Sequence, residues 1–219
     1  ILREEKGQDG GINPPGSVKV SDVCMNGMML NVLSWFLCNE KDLESVIDFI
    51  LSQILPDGGF NCQFNRKGAK HSSLHSTLSV IEGFLAYRNS GYSYRLDEII
   101  EAEKAGQEFI LLHRLYKSDR TGEIIQPRFL RMPHPSRWYY DVLRALDYFS
   151  ASGIGYDPRM QDAIDVLLSK RTKDGLWKVQ AAHPGAVHFE MEKAGGVSRW
   201  NTLRALRVLK DIGPTTNAG

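Results

Sequence analysis

Three side chains in the first third of the chain belong to types that bind zinc. Asp22 and Cys24 stand in the run Asp22-Val23-Cys24, and His75 opens another segment roughly 50 residues on. Carboxylate, thiolate and imidazole are all zinc donors, and three of them leave a fourth position for water or a substrate thiol. Cys62 and His71 precede His75 and are spare donors that would close such a centre into a structural one. A second group of residues suits the lining of a pocket: His75, Trp138, Tyr140, Asp141, Arg199, Trp200 and Asn201. Indole and phenol rings cover apolar chains or stack on sugars, while Asp, Arg and Asn supply the few polar contacts that orient a ligand. Each group also has a plainer role. A lone cysteine on an apolar helix is usually a small core residue; the aromatic rings pack between layers, and Arg137 and Arg199 cap carbonyls or pair with carboxylates. No catalytic acid, base or nucleophile stands out.

The elements that must position these residues recur along the chain. Segment 41–54 carries Leu43, Val46, Ile47, Ile50, Leu51 and Ile54 at helical spacing and ends at Pro56. Gly58-Gly59 lets the backbone reverse, and a second helix returns with Leu74, Leu78, Ile81 and Leu85. The same turn is foreshadowed at Gly10-Gly11, Gly122 and Gly175, each followed by a polar loop and a helix. Helices are expected near 21–38, 72–89, 136–151 and 197–211, starting at Ser21, Ser72, Ser136 and Ser198. The text Leu143-Arg-Ala-Leu146 echoes Leu203-Arg-Ala-Leu206, and aligning the two gives Asp141 and Asn201 one repeat position. Segment 158–170 reads as a narrower, polar-backed helix, and segment 96–116 as a long exception of about 20 residues. Alternating apolar and polar-backed helices imply an inner and an outer layer, an all-α fold of the α/α toroid or barrel kind, in one domain of about four hairpin repeats over 1–219. Ile1 to Gly7 reads as the tail of an outer helix whose beginning is missing.

With 42% hydrophobic and 24% charged residues, 219 residues suffice for a full core. A net charge of +1 gives no electrostatic case for nucleic acid or an anionic membrane. No apolar run is long enough for a transmembrane segment, and no signal peptide opens the sequence. Three cysteines without a Cys-x-x-Cys favour a reducing, cytoplasmic setting.

Gln53 to Phe60 and Asp174-Gly175-Leu176-Trp177 resemble the glutamine–tryptophan repeat of the squalene and terpenoid cyclases, whose helical toroid is shared by protein prenyltransferase β subunits. Members usually close a ring of about six hairpins. The acidic motifs that start a cyclase's cation or hold magnesium diphosphate have no counterpart here, which argues against a cation-initiating cyclase. Prenyltransferase β subunits resemble this chain in a Gly-Gly turn, then Asp-x-Cys opening one inner helix and a zinc-binding His opening that of a later repeat. Gly10-Gly11, Asp22-Val23-Cys24 and His75 stand in those places. The resemblance thus implies parallel inner helices whose starts bring Asp22, Cys24 and His75 together on zinc. It also implies a transferase-like enzyme acting on a hydrophobic or prenyl-like substrate in a central cavity, with a homo-oligomer or second subunit as partner. A helical-repeat binding scaffold without chemistry, or a polysaccharide-processing toroid, is the competing expectation.

Overall fold

The four glycine turns close in one way. Gly7 N–H donates to Gly11 C=O (2.7 Å) and Gly10 N–H returns to Gly7 C=O (3.1 Å). The same two bonds join Leu55, Gly58 and Gly59, then Ser118, Gly122 and Glu123, then Thr172, Gly175 and Leu176. Gly10, Gly58, Gly122 and Gly175 take φ of 82, 85, 71 and 79°, a region where a β-carbon is strained. The computed structural model describes residues 4–14, 19–180, 183, 185 and 187–213.

Each turn is then fastened to the helix after its loop. The N–H of Ile12 donates to Asn26 Oδ1 (2.7 Å), that of Phe60 to Thr77 Oγ1 (3.0 Å) and that of Trp177 to Thr202 Oγ1 (3.0 Å). All three donors belong to fully buried residues. In the third copy the corresponding helix position is Ala145, which has no side-chain oxygen, and Ile124 is 45% exposed.

The chain separates into two compact units, 1–110 and 111–219. The first contains α1 (Val23–Trp35), α2 (Glu40–Leu51), the short α3 (Phe64–Lys67), α4 (Leu74–Asn89) and nearly all of α5 (Leu96–Leu112). The second contains α6 (Val142–Ser152), α7 (Gln161–Ser169), β1 (Trp177–Lys178), β2 (Val197–Ser198) and α8 (Arg199–Ile212). Among the described residues the fold is all-α apart from the antiparallel pair β1–β2 and two isolated bridges. Each unit holds two turn-and-helix repeats.

Within the first unit α1 and α4 run side by side and parallel. Cys24 and Ser76 both reach Cys62 at the helix starts, Gly27 lies against Ser79 and Val80, and Ser90 Oγ donates to Ser34 C=O (3.0 Å) at the far ends. A β-carbon on Gly27 would sit 2.6 Å from Ser79 O and Val80 Cα, and one on Gly83 2.5 Å from Gly27 O, so this contact is backbone against backbone. In the second unit α6 and α8 are likewise parallel, with Asp147 on Arg204 and Arg207 and Ser150 on Asp211. α2 buries Leu43, Val46, Ile47, Phe49 and Ile50 and packs on α1, and α7 buries Ala163, Ile164 and Leu167 and packs on α6. Each of these two polar-backed helices thus buries its apolar stripe on one more apolar neighbour, as its patterning requires.

Several boundaries differ from the sequence expectation. The third inner helix begins at Val142, six residues later than Ser136, because the Asp141 side chain accepts from Arg144 N–H and caps it there. Trp138 and Tyr140 consequently precede the helix instead of lying in its first turn. The caps are Asp22, Ser73, Asp141 and Ser198. Counting from them puts Asp141 at a cap and Asn201 at a third helical residue, so the two do not share a position and the Leu-Arg-Ala-Leu texts are out of register. Their burial agrees: Leu143 and Leu146 are buried, Leu203 and Leu206 exposed. α5 stops at Leu112, and Arg114 and Leu115 beyond it have positive φ. Residues 4–7 form a turn and a bridge from Lys6 to Ile12, not a helix tail, and residues 1–3 lie outside the described part.

Replacing Gly27 by Val drives a side chain into the α4 backbone. We expect a loss of about 1–3 kcal/mol, measured as a lower urea midpoint for the 1–110 unit; an unchanged midpoint would show that the two helices part without cost.

Candidate functional site

The zinc-type residues of the first unit are committed to other partners. Asp22 stands at the N-cap position of α1, but its carboxylate turns instead to an ion pair with Arg66, whose Nε donates to Oδ1 at 3.1 Å. Cys24 and Cys62 form a disulfide, with α-carbons 6.1 Å apart, inside the usual range. The Cys62 sulfur also accepts from Cys24 N–H (3.1 Å) and Ser76 Oγ (3.4 Å). His75 is half-buried in the first turn of α4, while His71 is exposed with Nδ1 3.9 Å from the Asp57 carboxylate. Among the described residues no three His, Cys, Asp or Glu side chains gather closely enough to hold a metal ion. The arrangement does not fit zinc, because disulfide sulfurs are not thiolate donors and Asp22 already neutralises a guanidinium. The cysteine pairing has no sequence signal of its own. In denaturant without reductant, one thiol per chain, Cys38, should react with a thiol reagent, and three after reduction; three before reduction would exclude the disulfide.

A different cluster gathers in the second unit, around the starts of α6 and α8. Among the described residues, buried side-chain atoms lacking a hydrogen-bond partner are Ser34 Oγ, both ring nitrogens of His134, Asp141 Oδ2, His183 Nε2 and Asn201 Oδ1. All but the first belong to this unit. Such atoms are costly and rare in native proteins, so their concentration makes this cluster the candidate site. A cavity of about 270 Å³ opens beside them, with His134, Arg137, His183, Val187, Phe189 and Met191 in its lining. Glu190 and Glu192 border it as well.

The rings are ordered by stacking. His134 lies on Trp200, centroids 5.7 Å apart and planes within 16°. Trp138, Tyr139 and His183 form a second stack at successive 3.8 Å separations, with the Arg128 guanidinium over Tyr139. Burial depresses the pKa of both histidines, and the Arg137 and Arg128 charges depress His183 further. Both are neutral near pH 7, each with one donor and one acceptor nitrogen. Glu192 is tied to α8, accepting from Ser198 Oγ and from Arg199 N–H (2.8 Å).

The remaining expected pocket residues divide by role. Trp138 and Trp200 are about half exposed on the stacks, and Arg199 and Trp200 border a second, open cavity of about 420 Å³. Tyr140 is buried, donates to Leu115 C=O and packs edge-on to Phe129, so it is structural. Asn201 is buried and donates to Met132 C=O (2.9 Å) and Lys178 C=O (3.3 Å), holding segment 132–134 against β1. His75 belongs to the other unit. The sequence reasoning passed over His134, His183 and Glu192. One signal was available: His134-Pro135 and His183-Pro184 are His-Pro pairs, in which the proline restrains the residue presenting the imidazole.

Comparison with models of known families, with curated proteins and with solved structures finds no match.

Asp141 supplies a pH signature. Burial pushes its pKa from 3.8 up to about 6, against the pull of Arg204 and Arg144. The folded chain thus holds this proton more tightly than the unfolded chain, and the stability it contributes at low pH is lost as pH rises from 3.8 to about 6. The loss is about 3 kcal/mol at one pKa unit per 1.4 kcal/mol. Asp141→Asn keeps a good cap and should flatten the fall in stability over that range; an identical pH profile would place the titration elsewhere.

Proposed function

We propose that this chain binds a small hydrophobic molecule at the starts of α6 and α8, in the cavity beside His134 and His183. The observation that carries the proposal is the pairing of unpartnered, neutral imidazole nitrogens with an apolar wall of Val187, Phe189 and Met191. A ligand with an apolar body and one hydroxyl or carbonyl group satisfies both. The cavity is at the small end for organic ligands. This agrees with the prenyl-like substrate implied by the resemblance to terpenoid cyclases and prenyltransferases, and the parallel inner helices within each unit support the α/α toroid. The prenyltransferase-like zinc chemistry receives no such support from the Asp22, Cys24 and His75 arrangement. No described helix is long and apolar enough to cross a membrane. The Cys24–Cys62 disulfide favours an oxidising compartment over the cytoplasmic one inferred from cysteine count.

One observation favours a sugar ligand instead: the three-ring stack ends in the half-exposed Trp138, a platform of the kind that carbohydrates cover. Tryptophan fluorescence distinguishes the two. Geraniol should quench emission saturably, and His134→Ala and Phe189→Ala should each weaken binding about tenfold or more. The response should fade as pH falls and His134 is protonated. A saturable response to a glucan oligosaccharide, lost in Trp138→Ala, would support the sugar reading; no saturable response to either would defeat both.

A further inference from the structure

The first turn of α1 carries main-chain N–H groups that find no partner within the helix. One of them, the N–H of Cys24, donates to the Cys62 sulfur at 3.1 Å. The Ser76 hydroxyl donates to the same sulfur at 3.4 Å, because its oxygen is already engaged as the acceptor for Cys62 N–H (3.1 Å). Both donors thus converge on Cys62. A disulfide sulfur gains little from them, whereas a thiolate makes the stronger, charge-assisted kind of hydrogen bond and is favoured beside a helix N-terminus. The Asp22 carboxylate, which would repel such a charge, is neutralised by Arg66.

The bridge is not what holds loop 61–73 in place. Asn61 Nδ2 donates to His71 C=O (2.8 Å), Asn65 Nδ2 to Gln53 Oε1 (2.6 Å) and Ser72 N–H to Asp57 Oδ2 (2.8 Å), while Arg66 pairs with Asp22. With these ties intact, opening the S–S bond leaves two thiols side by side instead of releasing the loop. Both cysteines are half-buried, within reach of a small thiol. Bridges that small thiols reach are the labile, regulatory or catalytic ones, whereas structural bridges resist reduction.

We propose that Cys24 and Cys62 form a reversible redox couple that exchanges with low-molecular-weight thiols, Cys62 leaving as the thiolate and Cys24 carrying the mixed disulfide. In the first step the sulfur of an incoming thiolate bonds to Cys24 Sγ. The Cys24–Cys62 bond breaks, and its electron pair leaves on Cys62 Sγ, where Cys24 N–H and Ser76 Oγ receive it. In the second step another thiolate attacks the small-molecule sulfur of the mixed disulfide and frees Cys24. Two small thiols are thereby oxidised to their disulfide, the bridge takes up two electrons, and the two protons of the small thiols are available to the cysteines.

The test treats the native, oxidised chain with reduced glutathione, quenches with N-ethylmaleimide and locates both groups by peptide mass spectrometry. Glutathione should stand on Cys24 and maleimide on Cys62, about fivefold or more over the reverse. The reduced chain should keep its helix by circular dichroism and re-form the bridge when oxidised glutathione is added. Ser76→Ala should slow reduction of the native chain about threefold to tenfold, since it removes one donor to the leaving sulfur, and should change nothing in denaturant. A Ser76 that only braced the loop would give faster reduction on removal. Where Ser76→Ala loses helix, the glutathione distribution in the parent decides alone. Glutathione mainly on Cys62, reduction no faster than global unfolding, loss of helix on reduction, or an unchanged or faster rate in a folded Ser76→Ala would each overturn the proposal.

Discussion

The bond on which the rest depends is the tie from each glycine turn to its inner helix. A buried main-chain N–H must find an acceptor, and Asn26, Thr77 and Thr202 provide one at the fourth helical residue. The tie fixes where the loop enters and how the helix is rotated, and so which residues gather at its start. Ala145 breaks the rule, and there a different device holds the helix. Asp141 caps α6 from a fully buried position, Tyr140 anchors to Leu115, and Asn201 reaches across from α8 to Met132. The repeat lacking the tie lies beside the cavity, where the backbone before the helix is free to carry His134, Trp138 and Tyr139.

That arrangement sacrifices stability. Asp141 and Asn201 each leave an oxygen buried and unpartnered, and His134 leaves two nitrogens; a typical orphan of this kind costs about 1–3 kcal/mol. Elsewhere in the same unit polar groups are well matched. Asp147, with a side chain 18% exposed, takes both Arg204 and Arg207, and the Trp177 indole donates to Leu167 C=O at 2.7 Å. Mismatch confined to one place beside good matching is the pattern expected of a binding site.

The repeat was legible because glycine and apolar spacing act locally. Gly58 needs positive φ whatever surrounds it, and the Leu43-to-Leu51 stripe must face a core. Helix starts were less so: Ser136 looks like a cap, but Asp141 won because its carboxylate reaches Arg144 N–H. The echo of Leu143-Arg-Ala-Leu146 in Leu203-Arg-Ala-Leu206 misled for a related reason, since identical text displaced along a helix turns to another face. Cys24 and Cys62 were read as donors or core residues because their approach depends on how the 61–73 loop folds over α1, which no spacing encodes. His134 and His183 were missed because their significance lies in burial without partners, a property of the folded chain.

The same burial bears on what the cavity can hold. A diphosphate requires several cations or a cluster of main-chain N–H groups, whereas Arg137 shares this cavity with Glu190 and Glu192. The two carboxylates offset the Arg137 and Arg128 guanidiniums, and histidines with depressed pKa values add no positive charge near neutral pH, which leaves no cation excess for a dianion. For the ligand proposed above, these electrostatics favour an uncharged alcohol or carbonyl compound over a diphosphate ester. Neutral imidazoles would hydrogen-bond such a group without the desolvation penalty a buried charge would bring, so in the proposed binding reading the lowered histidine pKa and the apolar wall would select together.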